Sequence, residues 1–180
     1  MNVAGNDIAK SDFVQRVTGA VLRAGLRPQH LTIELTENIL MRQLEAALDM
    51  LKQLHHLGVR LSVDDFGTGY SSLSHLSSLP LDSLKIDRSF VHNLTPGSKE
   101  TAVIRAIVSL GHFLGKTVVA EGIETDEQLV QLRALDCDVG HGYYLNRPFL
   151  EVAVDPFLDG LVRLDCDLPS TSNVIAFQKR

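Results

Sequence analysis

At 180 residues with 44% hydrophobic side chains, the chain is long enough to bury one sizeable core and suits a single domain. Its net charge of −5 argues against general affinity for nucleic acid polymers or anionic membranes, while a small anionic substrate is compatible if cations neutralise its site locally. No apolar run approaches the ~18 residues of a spanning helix, and Met1-Asn2-Val3-Ala4-Gly5 lacks the regions of a signal peptide, so the expectation is a cytoplasmic protein without membrane contact of its own.

Helical and strand periods alternate along the chain. A short apolar stub at 2–4 precedes a helix over 11–24, where Ser11 is placed to cap, Val14, Val17 and Val21 form a stripe, and Gly25 stops the turn. A strand is expected at 31–36, then a helix over 42–57 with Leu44, Leu48, Leu51 and Leu54 on one side, then a strand at 59–64. The run Phe66-Gly67-Thr68-Gly69-Tyr70-Ser71-Ser72 reads as a loop into a short helix near 71–78 that Pro80 prevents from extending. Strand 83–87 and a helix near 99–114, with Val103, Ile107, Leu110 and Leu114 at helical spacing, follow. Strand 117–121 leads to Thr125 and Gln128, a capping-box pair for a helix to about 135. A strand at 138–145 and a helix near 152–163 complete the domain, 1–163. Residues 164–180 lack periodicity and read as a flexible tail. Cys137 and Cys166 show neither zinc spacing nor a disulfide framework and read as reduced thiols. Regular strand–helix alternation implies right-handed crossovers and a parallel sheet.

Four strands share one phrase, an apolar run that ends in an acid: Leu31-Thr32-Ile33-Glu34, Leu61-Ser62-Val63-Asp64-Asp65, Leu84-Lys85-Ile86-Asp87 and Val118-Val119-Ala120-Glu121. Period-2 alternation puts Thr32 with Glu34, Ser62 with Asp64, and Lys85 with Asp87. Several strands delivering carboxylates to one place is costly without a cation, and this is how a metal-dependent site is built on the C-terminal face of a parallel barrel. Two simpler readings stand beside it: strand-end acids capping the next helices, and Lys85 pairing only with Asp87.

The blocks Glu34-Leu35-Thr36-Glu37, Asp64-Asp65-Phe66-Gly67-Thr68-Gly69-Tyr70-Ser71-Ser72-Leu73, Leu84-Lys85-Ile86-Asp87, Ala120-Glu121-Gly122-Ile123-Glu124 and Gly142-Tyr143 with Arg147-Pro148 resemble the EAL domain family in order and spacing from Asn2 to about Pro148. Those are bacterial phosphodiesterases for the second messenger cyclic di-GMP. The resemblance implies an α/β fold, a modified TIM (β/α) barrel that is incomplete here, with about six of eight strands. It also implies hydrolysis of cyclic di-GMP to linear pGpG with Mg²⁺ or Mn²⁺, two ions in the complete domain. Carried over by position, Asn2, Glu34 and Asp64 match metal ligands and Asp65 a carboxylate that helps hold the other metal. Lys85 matches a lysine that contacts the attacking water, and Glu121 a glutamate proposed as general base. Glu37 resembles the glutamate that anchors the loop 66–72; Glu124 is a further loop-anchoring or substrate-related position, or a first-turn helix acid. The oxygen-rich set suits Mg²⁺ or Mn²⁺ independently of the resemblance, and no His/Cys cluster suggests zinc.

Three departures from the family pattern stand out. The Glu-Ala-Leu segment, with its metal-binding glutamate and a nearby phosphate-contacting arginine, belongs upstream of Asn2 and is absent from these residues. His141 stands where Gln is usual, as a polar replacement or a metal ligand, and Ala4 stands where Ser is usual. The expectation is therefore the C-terminal three-quarters of such a domain, with open sheet edges that favour a homodimer or an upstream sensory or GGDEF-type domain, and with weakened metal binding. A receptor that holds cyclic di-GMP without cleaving it and a protein-interaction module are the alternatives.

Overall fold

The computed structural model describes residues 1–8, 10–69, 73–145 and 174–176. Five strands, β1 (Thr32–Thr36), β2 (Arg60–Phe66), β3 (Ser83–Ile86), β4 (Thr117–Glu121) and β5 (Val139–His141), pair in parallel in chain order, and β6 (Val174–Ala176) adds antiparallel to β5. The helices are α1 (Gly5–Ile8), α2 (Phe13–Arg23), α3 (Glu37–Arg42), α4 (Leu44–His56), α5 (Leu73–Ser78), α6 (Arg88–His92), α7 (Lys99–Phe113) and α8 (Asp126–Ala134). The sheet runs from β1 to β6 without closing, an incomplete α/β barrel as expected.

The strand period decides which face is which. Ile33, Leu35, Leu61, Val63, Leu84, Ile86, Val118 and Ala120 are all fully buried on one face. Burying a Val, Leu or Ile contributes about 1.5–3 kcal/mol each, and a one-residue slip would turn the whole set outward. Register is thereby locked, and alternate residues, among them Glu34, Ser62, Lys85 and Glu121, must point to the other face.

Helix positions follow the apolar periods, with instructive differences. Leu51 and Leu54 of α4 and Val17 and Val21 of α2 are buried as their stripes require. On α7 the buried face is Ile104, Ile107, Val108 and Gly111, turned from the expected stripe so that Val103, Leu110 and Leu114 only flank the core. Gly111 explains the turn: a Cβ there would lie 2.3 Å from Val118 Cγ2, so the helix sits closer to β4 than any side chain would permit. Ser11 does not cap α2; the cap position is Asp12, without a side-chain cap bond. Helices α1, α3 and α6 are too short to show a period in sequence. By contrast the Thr125–Gln128 capping box is present as read, with both reciprocal bonds made.

The edges also differ from expectation. The stub at 2–4 is a single parallel bridge, Asn2 to Glu34, flanked by Val3 N–H to Glu34 O (3.0 Å) and Glu34 N–H to Met1 O (2.9 Å). On the far side the segment expected to be a tail supplies β6, whose Val174, Ile175 and Ala176 pair with His141, Gly140 and Val139. Open strand edges carry unmet backbone groups, and here residues 1–3 and β6 pair with part of the edges of β1 and β5. The strand read at 138–145 is shorter because its backbone turns at Gly142 onto Ile123. The helix expected near 152–163 and the pair Arg147-Pro148 lie outside the described residues. No helix among the described residues is long and apolar enough to cross a membrane.

Replacing Gly111 by Ala should destabilise the fold by about 1–3 kcal/mol, because α7 must back away from Val118. Urea unfolding checks this, and an unchanged midpoint would show that the helix–strand contact has slack.

Candidate functional site

The polar face of the sheet forms a cleft of about 640 Å³ lined by Asn2, Thr32, Glu34, Arg60, Ser62, Asp64, Asp82, Ser83, Lys85, Thr117, Val119, Glu121, Val139 and His141. A groove of about 830 Å³ between α2 and α4 is larger, but its lining is mainly apolar and holds one acid, Asp49. Chemistry, not size, selects the first. Low in the cleft, Ser83 Oγ donates to Ser62 Oγ at 2.8 Å, tying β2 to β3.

At the C-terminal ends of the strands, Lys85 is the centre. Its Nζ lies 3.0 Å from Glu34 Oε2, 3.5 Å from Asp64 Oδ1 and 2.7 Å from Glu121 Oε1, so acids from β1, β2 and β4 converge on one ammonium from β3. The Lys85 side chain is 11% exposed. Burial works against its charge, but hydrogen bonds to Glu121 and Glu34, with the fields of Glu121 and Asp64, outweigh that cost and raise its pKa. Burial likewise pushes Glu121 up, and its contacts with His141 and Lys85 overcome this and lower it. The reading of Lys85 as a partner of Asp87 is corrected: Asp87 instead caps α6, accepting from Ser89 N–H at 2.8 Å and from Ser89 Oγ.

Asp65 reaches the rim through a β-bulge. Val63 pairs with Leu84 and Phe66 with Ile86, so Asp64 and Asp65 stand together opposite Lys85. Asp65 takes φ of 54°, a left-handed conformation that Asp tolerates better than most residues. Without the bulge, alternation would drive one of two adjacent acids into the core. Desolvation first, then the charge of Asp64 and a hydrogen bond with Asp87, raise the Asp65 pKa.

Glu37, at the start of α3, is 2% exposed and accepts from Gly67 N–H (2.9 Å) and Gly69 N–H (3.2 Å), holding the loop that follows β2. A Cβ on Gly69 would lie 2.9 Å from Glu37 Oε1, so a side chain at that loop position would push against the anchoring carboxylate. Tyr70, Ser71 and Ser72 lie outside the described residues. His141 stands beside Glu121 in the β4–β5 register, with Nδ1 3.5 Å from Glu121 Oε1. Glu124 is not in the cleft lining; its carboxylate lies 3.7 Å from His92 Nδ1 on the surface. Burial pushes the Cys137 thiol up to about 12, which keeps it inert near neutral pH.

The donor chemistry fits a hard divalent cation, since Asn2, Glu34 and Asp64 bring an amide and two carboxylates into one cleft. Their arrangement is another matter: among the described residues no three His, Cys, Asp or Glu side chains form a ready metal cluster. The carboxylates are gathered by Lys85. What sequence reading missed is the bulge and the placement of Asp87 against Asp65; the adjacent acids at a strand end were the available signal.

Comparison with known proteins places this arrangement in context. The family model described as EAL domain matches residues 1–148. MucR of Pseudomonas aeruginosa, a bifunctional diguanylate cyclase/cyclic di-GMP phosphodiesterase, is 45% identical over 148 residues, covering 82% of this chain and 22% of its own. A solved structure of PaMucR phosphodiesterase in complex with c-di-GMP superposes with a TM-score of 0.82 at 43% identity, covering 85% of this chain and 68% of that one. A manganese and cyclic di-GMP complex of Klebsiella pneumoniae BlrP1 gives 0.76 at 33% identity, covering 82% and 38%. The chain spans about a fifth of the length of the curated relatives it matches.

The two shifted groups set a pH dependence without added metal. Glu121, held below its ordinary range, contributes stability that is present above that range and lost as pH falls through its lowered value. Lys85, held above its ordinary range, contributes stability present below that range and lost as pH rises through its raised value. Thermal melts in chelator should fall at both extremes, with Glu121→Gln flattening the acid limb and Lys85→Met the alkaline one. Unchanged limbs in both variants would show that the cluster is not coupled to folding.

Proposed function

The chain belongs to the EAL domain family, and from that premise we propose that it is a cytoplasmic, metal-dependent phosphodiesterase domain that hydrolyses cyclic di-GMP to linear pGpG. The observation that carries this reading is the convergence of Glu34, Asp64 and Glu121 on Lys85 at the C-terminal ends of adjacent parallel strands, where barrel enzymes hold their chemistry. The complexes of PaMucR and BlrP1 with cyclic di-GMP support the substrate, and the manganese and calcium forms of BlrP1 support a divalent ion.

Asn2, Glu34, Asp64 and Asp65 would hold Mg²⁺ or Mn²⁺, which when bound supplies Lewis-acid activation of water and charge neutralisation at the phosphate. The protein's own residues divide the remaining work. The Lys85 ammonium orients water and balances the acids. Glu121, kept ionised by Lys85 and His141, accepts the water proton as oxygen attacks phosphorus and one phosphodiester P–O bond breaks, the leaving sugar oxygen taking a proton from solvent to become a hydroxyl. Glu37 holds the start of the loop that follows β2. MucR joins a diguanylate cyclase to the phosphodiesterase, and an upstream domain of that type or a second copy is the partner we assign to this chain.

Incubation with cyclic di-GMP and Mg²⁺ or Mn²⁺, with pGpG resolved by chromatography, tests the reading. Asp64→Asn, which keeps size and removes a ligand charge, should lower turnover at least about 100-fold. Undiminished turnover in that variant would remove Asp64 from the metal site. A second reading, a receptor that binds without cleaving, is favoured by the absence of a ready metal cluster among the described residues. Saturable binding with no pGpG formed at either metal would establish it instead.

A further inference from the structure

We infer that Lys85 is the resident counter-cation of this site, holding Glu34, Asp64 and Glu121 together before any divalent ion arrives, and that an ion must displace it from Glu34 and Asp64 to enter. The inference rests on the metal-dependent reading above and deepens it.

Three observations carry it. An ammonium has three donors, and here three carboxylate oxygens from three strands lie 2.7, 3.0 and 3.5 Å from Nζ. These are hydrogen-bond and ion-pair distances, so the acids are gathered around the ammonium itself. In agreement, no three acidic, His or Cys side chains among the described residues stand as a metal cluster. Finally, Lys85 is 11% exposed and Glu34 and Asp64 are 22% and 16% exposed, so water screens their charges poorly. An ammonium and a divalent ion that both touched Glu34 would repel strongly in such surroundings.

The shortest contact, to Glu121, shows where the lysine remains. A shift of Nζ toward Glu121 and away from Glu34 and Asp64 vacates two ligands while keeping the pair that the proposed chemistry uses. The same residue therefore assembles the acids and limits the affinity for the ion.

The test uses the full chain stripped with chelator, Mn²⁺ alone as the calorimetric probe and Mg²⁺ for spectroscopy. Lys85→Met, neutral and of similar length, should melt lower in chelator yet bind Mn²⁺ about tenfold tighter or more, while Lys85→Arg keeps the weak affinity of the wild type. In the wild-type protein the Lys85 Cε–Hε signal, assigned by its loss in Lys85→Arg, should shift along the Mg²⁺ titration with the binding midpoint. Equal or weaker Mn²⁺ affinity in Lys85→Met overturns the inference alone. If Lys85→Met does not fold, the wild-type signal decides: movement supports displacement and a static signal during binding overturns it. Binding of Mn²⁺ by Lys85→Met but not by wild type supports it in its strongest form. Absence of binding to every folded protein overturns both the inference and the metal-dependent reading on which it rests.

Discussion

Three carboxylates within reach of one atom repel one another, and the cost rises as water is excluded. Lys85 offsets that cost. Its ammonium joins β1, β2 and β4 through Glu34, Asp64 and Glu121 while its own backbone sits in β3, so one side chain ties four neighbouring strands at their C-terminal ends. Remove that cation and Glu34, Asp64 and Glu121 face one another without it; keep it, and both Lys85 and Glu121 remain charged through the neutral range. Geometry and electrostatics are here the same fact.

The cluster stands where it does because of what lies beneath. The buried face of Ile33, Leu35, Leu61, Val63, Leu84, Ile86, Val118 and Ala120 sets the register, and the two-residue period then leaves the polar set no choice of side. Gly111 lets α7 approach β4 closely, so β3 and β4 are held in place just below Lys85 and Glu121. Two backbone devices refine this. The bulge at Asp64–Asp65 lets adjacent acids both reach the rim, and the contact of Gly142 with the Ile123 backbone carries His141 beside Glu121. A Cβ on Gly142 would come within 2.2 Å of Ile123 atoms, so no other residue allows that approach.

The loop after β2 shows the same economy. Glu37 is a buried acid, which is costly unless its oxygens are used, and two backbone N–H groups of the loop use one of them. An acid that looks like an ordinary first-turn helix residue is thus a structural anchor beside the cleft. The edges behave alike: residues 1–3 and the short β6 supply backbone partners to β1 and β5.

Much of this was legible in the amino-acid sequence. Strand and helix order, the apolar faces, the capping box at Thr125 and the candidate acids all follow from local periods, because a strand's two faces and a helix's stripe are properties of neighbouring residues. Glu34, Asp64, Lys85 and Glu121 were nameable for that reason. Tertiary structure alone decided which acids share the cation, since the spacing also allowed Lys85 to pair with Asp87, and Asp87 turned away to cap α6. It alone decided that Asp65 escapes the core, that α7 rotates toward Gly111, and that the C-terminal segment pairs with β5. Those outcomes depend on bulges, close backbone approaches and ion pairs between residues some twenty to fifty positions apart, and a one-dimensional period carries no information about distances across a sheet.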